Sequence, residues 1–225
     1  MVHTSEIVVI GGGVIGLVIA WRLSHNGHRV TVLERGQIGR EASWAAAGML
    51  APHCELDQPD AFFELCQKSL EAYPAFISAL KQETGYAIDY ITNGTIFPAL
   101  SDGDQQKLEI RYKRQKEAGL PVELLSAKAS RRLEPNLSRH VQMALRYPAD
   151  HQVENRDLIR ALTQAIRQLG GIIHEGTAVK RILTDQSQVI GVQADSVSWE
   201  TSHIVNATGS WARYLDGVPN TVRPP

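Results

Sequence analysis

Within its first 35 residues the chain sets out a strand, a glycine turn, a helix, a second strand and an acid, in that order. Ile7 to Ile10 is an apolar run rich in β-branched residues, as expected of a strand buried on both faces. It leads into Gly11-Gly12-Gly13-Val14-Ile15-Gly16, a G-x-G-x-x-G turn. Val14 to Ser24 is nearly apolar all round, which suits a helix enclosed in a layered α/β domain. Gly27 ends it, Arg29 to Leu33 forms the second strand, and Glu34 follows. In such a unit the first glycine allows the tight turn, the second lets backbone approach a pyrophosphate, and the third lets helix and strand pack closely. The helix tip supplies free N–H groups and a positive dipole end to the phosphates. Glu34, about 20 residues beyond Gly13, stands where an acid accepts ribose hydroxyls and disfavours a 2′-phosphate. A lone glycine motif is weak; the full βαβ order makes this a dinucleotide site.

The 225 residues are 43% hydrophobic, enough for the core of one or two compact domains. A formal charge of -1 gives no general attraction to nucleic acid or anionic membrane. Cys54 and Cys66 form no C-x-x-C and have no histidine at metal spacing, so they read as reduced thiols of a cytoplasmic protein with no metal site. Ile7 to Ala20 is too short and glycine-rich to span a membrane.

Further along, Ser43-Trp44-Ala45-Ala46-Ala47-Gly48-Met49-Leu50 is a run of small residues. Either its backbone lies against a flat ring, or it is a short alanine helix packed in the core. Pro59 to Gln82 has helical apolar spacing, and Pro74 within it predicts a kink or two helices. Phe62, Phe63 and Tyr73 read as core. Tyr90 to Leu100 reads as a strand or a hairpin around Asn93-Gly94, a turn dipeptide. Asp102 is the expected cap of a helix to Ala118, whose Arg111, Lys113, Arg114 and Lys116 make a solvated face. Ser126 caps a short helix stopped by Pro135, and Val141 to Tyr147 is a strand. Asn155 caps a helix with Leu158, Ile159, Leu162, Ala165, Ile166 and Leu169 on one stripe and Gly170 at its end. Strands at Gly171 to Glu175, Thr177 to Thr184, Gln188 to Ala194 and His203 to Asn206 follow, the last leading through Ala207-Thr208-Gly209 to a helix start.

The glycine fingerprint with Ala20, Leu23, Gly27, Val30 and Glu34, the Ala46-Ala47-Gly48-Met49-Leu50 loop and the late Ala207-Thr208-Gly209 are similar to the D-amino-acid-oxidase-like flavoproteins, most of all their glycine-oxidase branch tied to thiamine biosynthesis. The resemblance implies an α/β fold: a Rossmann-like, glutathione-reductase-like FAD-binding domain with part of an α+β substrate domain. Residues 1–85 and 150–225 would form the discontinuous FAD domain, and 86–149 the partial substrate domain. Gly11, Gly13, Val14, Ile15 and Gly16 would hold the pyrophosphate, and Glu34 with Arg35 the adenosine ribose. Ala42 and Ser43 would touch the phosphate–ribityl part, while Ala46, Ala47, Gly48 and Met49 would lie along the isoalloxazine. Val179 would meet adenine through its backbone, and Thr208 and Gly209 would pass near the dinucleotide. Relatives that tether flavin carry a histidine where this chain has Ala45, so the FAD is expected to be non-covalent.

Such relatives continue with arginines that grip a substrate carboxylate and a last glycine-rich segment, none of which is present. The resemblance thus implies the N-terminal part of an oxidase that takes glycine or a small amine, with dioxygen as acceptor. The alternatives are a D-amino-acid dehydrogenase or sarcosine-oxidase-like enzyme with another acceptor, and a non-catalytic FAD-binding chain that needs its C-terminal half. Self-association or pairing with that half is expected. No catalytic side chain is assigned; His53, close after the flavin loop, reads as structural.

Overall fold

The computed structural model describes residues 1–55, 60–219 and 221. Contacts divide the chain into two compact units: Met1–Ala47 with Leu80–Ile88 and Asn155–Pro225, and Gly48–Ala79 with Asp89–Glu154. Gly48–Ala79 therefore clusters with the later segment, although 1–85 was expected as one block.

The first unit is built on a parallel sheet with strand order Ile172–His174, Val30–Leu33, Ile7–Ile10, His203–Asn206. Every residue of the two central strands is buried, whereas both outer strands are partly open. That explains why the central pair reads as unbroken apolar runs rather than alternating ones. Helix Val14–His25 joins them and packs against helix Asn155–Gln168. The latter buries Leu158, Ile159, Ala161, Leu162, Ala165 and Ile166 on one stripe; Leu169, placed on that stripe by spacing, lies beyond the helix and is exposed. A second sheet, in the order Val2–Thr4, Val197–Glu200, Gln188–Ala194, Arg181–Asp185, covers the other side. Val8, Ile10 and Leu33 meet Val192, Ala194 and Trp199 in one cluster, so the core lies between the sheets.

Among the described residues, the second unit has two three-stranded antiparallel sheets. One holds Met49–Leu50, His151–Val153 and Tyr90–Ile91; the other holds Thr95–Ala99, Met143–Tyr147 and Glu123–Ser126. Its core joins Ala51, Cys54, Ala99, Leu108, Val122, Met143, Leu145 and Tyr147.

Several local expectations are corrected. Tyr90–Ile91 and Thr95–Ala99 do not form a hairpin; each pairs with a different strand. Gly94, at φ +87°, lies so close to Tyr147 that a Cβ would stand 2.6 Å from its carbonyl oxygen, so the turn passes the chain from one sheet to the other. Helix Asp102–Glu117 is capped by Ser101, whose hydroxyl accepts from the Asp104 N–H while the Asp104 carboxylate accepts from the Ser101 N–H. Helix Ala61–Thr84 is unbroken across Pro74, with Leu70 and Ile77 buried on either side. Of the aromatic residues read as core, Phe63 is buried but Phe62 is 59% exposed, because adjacent helical positions face different ways. After His203–Asn206 the chain takes a short 3-10 turn, Gly209–Tyr214, and not an α-helix. The strand expected from Thr177 starts only at Arg181. Pro59 and Val222 to Pro225 fall outside the described residues.

Candidate functional site

The glycine turn is shaped by close approach. Gly11 takes φ +106°, and a Cβ there would stand 2.5 Å from the Ala207 carbonyl oxygen. A Cβ on Gly16 would stand 2.0 Å from the Gly11 carbonyl oxygen. The Ala207 N–H donates to Ile10 at 2.8 Å, which brings Thr208 and Gly209 to the same end of the sheet. Thr208 is held by Asn206, whose side-chain oxygen accepts from its hydroxyl at 2.6 Å and its N–H at 3.2 Å; Gly209 turns the chain at φ +57°.

Helix Val14–His25 starts at this point with no acidic residue in its own first turn to offset its positive end. The Val14 N–H donates to Ser43 Oγ at 2.9 Å. Among the described residues, the N–H groups of Gly13, Ile15 and Gly16 have no acceptor. A Cβ on Gly13 would come 3.2 Å from Ser43 Oγ, so the missing side chain leaves room where the free donors converge.

Glu34 is only 7% exposed. Its Oε2 accepts from the Gly12 N–H at 2.7 Å and its Oε1 from the Gly36 N–H at 2.8 Å. A carboxylate offers about four acceptor positions, so two remain for vicinal hydroxyls. The Thr177 N–H donates to the Glu34 carbonyl at 2.7 Å and Gly176 to Gly36 at 2.9 Å, which runs the segment containing Val179 alongside. The Val179 side chain packs on the core, while its N–H and C=O make no hydrogen bond among the described residues. An orphaned backbone pair of this kind suits the edge of an adenine ring. Free donors, spare carboxylate positions and cleared glycine space together fit the adenosine diphosphate half of FAD.

Arg35 turns away from Glu34. Its guanidinium lies 3.8 Å over the Trp211 ring and pairs with Glu41 at 2.7 Å. Of the small-residue run, Ser43–Ala45 lies in a four-residue helix, Ala42–Ala45, and Met49–Leu50 in a strand; none of its residues is buried, which removes the packed core helix as a reading. Ala42, Ala46 and Ala47 are exposed in the first unit; Gly48 and Met49 belong to the second, where Met49 pairs with Gln152 and is 47% exposed.

Asn155 has a role that the sequence did not show. It is the first helical residue, and its side-chain amide donates to the carbonyls of Ser43 and Trp44, pinning the loop that answers Val14. With its partners 112 and 111 positions away, spacing carries no signal for it.

The second unit holds a buried polar chain. His53 Nδ1 lies 2.7 Å from Asp150 Oδ1, and Asp150 also accepts from the N–H groups of His53 and Cys54. Gln115 donates to the His53 carbonyl and accepts from the Tyr147 hydroxyl, both at 3.0 Å. Burial pushes the Cys54 thiol up to about 11, assisted by Asp150, and the Tyr147 phenol up to about 12. His53 is thus a bonded core residue. No group of side chains among the described residues is arranged to hold a metal ion, and no helix among them is long and apolar enough to cross a membrane.

Residues 6–225 match the family model described as FAD dependent oxidoreductase, DAO. The bifunctional protein ThiO/ThiG of Trichormus variabilis is 37% identical over 220 residues, covering 98% of this chain and 33% of that protein. The glycine oxidase of Bacillus licheniformis is 35% identical over 93% of this chain and 55% of its own length. The crystal structure of glycine oxidase from Geobacillus kaustophilus superposes with a TM-score of 0.88 at 31% identity, over 95% of this chain and 57% of that one. The chain spans between a third and somewhat over half of these relatives. With a family match over nearly its whole length and a cradle shaped for the nucleotide, the chain belongs to the DAO family of FAD-dependent oxidoreductases.

Proposed function

We propose that this chain carries the nucleotide-binding part of an FAD-dependent amino-acid oxidase whose substrate is glycine or a similarly small amine. The observation that carries the reading is Glu34, held by the N–H groups of Gly12 and Gly36 beside the open donors of Gly13, Ile15 and Gly16. The names of the relatives support the substrate class.

In this reading the first unit is the FAD domain and the second is part of the substrate domain. Gly11, Gly13, Val14, Ile15 and Gly16 receive the pyrophosphate, with Ala42 and Ser43 beside it. Glu34 takes the ribose hydroxyls, and Arg35 with Trp211 walls that end. Val179 offers its backbone to adenine, and Thr208 and Gly209 border the dinucleotide. Ala46, Ala47, Gly48 and Met49 give the ring a side-chain-poor backbone. FAD held by these residues would supply two-electron redox chemistry for oxidising the amine to its imine, with dioxygen as the final acceptor giving hydrogen peroxide. The protein's part is to bind and orient, so no general base is assigned. FAD is held non-covalently, and the product imine supplies thiazole synthesis in the cytoplasm.

The test begins with the absorption spectrum of the purified protein and a titration with FAD. Peroxide release and dye reduction are then followed with glycine, sarcosine and D-alanine in the polypeptide extended to its relatives' length. Peroxide from glycine is expected. Dye turnover without peroxide would make the enzyme a dehydrogenase, and failure to take up FAD in any form would remove the reading altogether.

A further inference from the structure

One side of the first unit carries a groove of about 750 Å³, lined among others by Arg40, Trp44, Tyr86, Arg160, Arg167 and Glu175. Its size is that of a small-molecule site. None of the residues assigned to the flavin lines it. Ile38 stands between the two: its Cδ1 lies 2.3 Å from where a Cβ on Gly12 would be, so it closes the back of the cradle and lines the groove.

We propose that this groove binds a phosphate-bearing small anion at a site separate from the nucleotide cradle. Three guanidinium groups face one carboxylate. Arg156, Arg160 and Arg167 recur at steps of four and seven along helix Asn155–Gln168, which places them on the face opposite its apolar stripe. Trp44 orients two of the lining arginines, Arg40 at 3.7 Å from the centre of its ring and Arg160 at 5.8 Å, with Arg156 at 4.8 Å outside the lining. A guanidinium stacked flat on a ring keeps its N–H edge turned outward and loses little freedom when it pairs with an oxyanion. Arg160 is answered within the protein by Asp157 at 2.9 Å. Arg40 and Arg167 meet no carboxylate among the described residues. The one acid in the lining, Glu175, has an oxygen committed to the Ile38 N–H at 2.6 Å. Two arginines of the lining without a carboxylate partner, Arg40 stacked on Trp44 and Arg167 on the helix, favour the paired oxygens of phosphate over a point charge. This inference does not rest on the flavin reading, because the groove residues bind regardless of what the cradle holds.

The probe is inorganic pyrophosphate, titrated at constant ionic strength into the protein with FAD in excess. Tryptophan fluorescence is followed, with Trp44→Phe to assign the signal and calorimetry to count sites. Saturable binding at one site is expected, weakened about tenfold in Arg40→Gln and in Arg167→Gln and unchanged in Arg139→Gln on the other unit. Circular dichroism of each variant separates loss of the site from loss of the fold. The proposal is overturned if pyrophosphate does not saturate, if sodium chloride of equal ionic strength gives the same signal, or if folded Arg40→Gln and Arg167→Gln bind like the parent.

Discussion

Gly16 lies against Gly11 so closely that a methyl group on the first would stand 2.0 Å from the carbonyl oxygen of the second. The obstacle is backbone on both sides, so no rotamer can relieve it. Gly16→Ala is expected to cost about 1–3 kcal/mol or more and to abolish FAD uptake, read by thermal unfolding and flavin absorbance. Gly27, at φ +90° with nothing within 4 Å, is the control. Gly27→Ala is strained only through its dihedral angle, should cost about 1–2 kcal/mol, and should leave FAD binding intact.

Glu34 serves the protein before it serves a ligand. Glu34→Ala strands the buried N–H of Gly12, at about 1–3 kcal/mol, while the N–H of the exposed Gly36 turns to water. Both the unfolding midpoint and FAD affinity should fall, the latter at least about tenfold. Glu34→Gln keeps one acceptor oxygen and should fall between. Unchanged affinity in the alanine variant would separate Glu34 from the ribose.

Acid should weaken the second unit. The Tyr90 hydroxyl lies 2.6 Å from Nδ1 of His151, and burial lowers the His151 pKa below its ordinary value of 6.5, partly opposed by Asp150. A histidine held neutral when folded takes up protons more readily when unfolded. Its contribution is therefore fully present above about pH 6.5 and is lost as the pH falls through that value towards the folded pKa. His174 in the first unit is lowered by burial and by His3, and adds in the same direction. Unfolding midpoints from pH 7.5 to 5 should decline, and the decline should be shallower in His151→Gln.

The two thiols should part company. Cys54 is 4% exposed with its pKa pushed up to about 11 by burial, so it holds almost no thiolate at pH 8. Cys66 is partly accessible. Iodoacetamide should label Cys66 in the native protein and reach Cys54 only on unfolding, as peptide mass mapping would show.

What the sequence made legible was what the chain encodes locally. The strands Ile7–Ile10 and Val30–Leu33, the helix between them and the amphipathic helix from Asn155 follow from apolar period and glycine punctuation. What escaped depends on distant partners. The strand Val2–Thr4 exists by pairing with Val197–Glu200, which lies between it and Gln188–Ala194, a placement no local pattern announces. Asn93-Gly94 has hairpin chemistry, but its flanks find better partners in His151–Val153 and Met143–Tyr147. Arg35 is legible only as the neighbour of Glu34; that its guanidinium lies over Trp211 and pairs with Glu41 depends on partners that spacing does not announce. In the cradle, the glycines and Glu34 announced themselves, while the Asn155 amide that steadies Ser43 did not.

The parallel sheet also dictates when the first unit can fold. Ile7–Ile10 borders Val30–Leu33 on one side and His203–Asn206 on the other, so one flank of the earliest buried strand finds its mate almost 200 residues later. A nascent chain emerging from the ribosome carries that apolar flank bare while the intervening segment is made, the slow and aggregation-exposed arrangement typical of distant strand pairing. Completion of this flank is therefore tied to translation of His203–Asn206, and the segments made before it must stay unaggregated until that strand arrives.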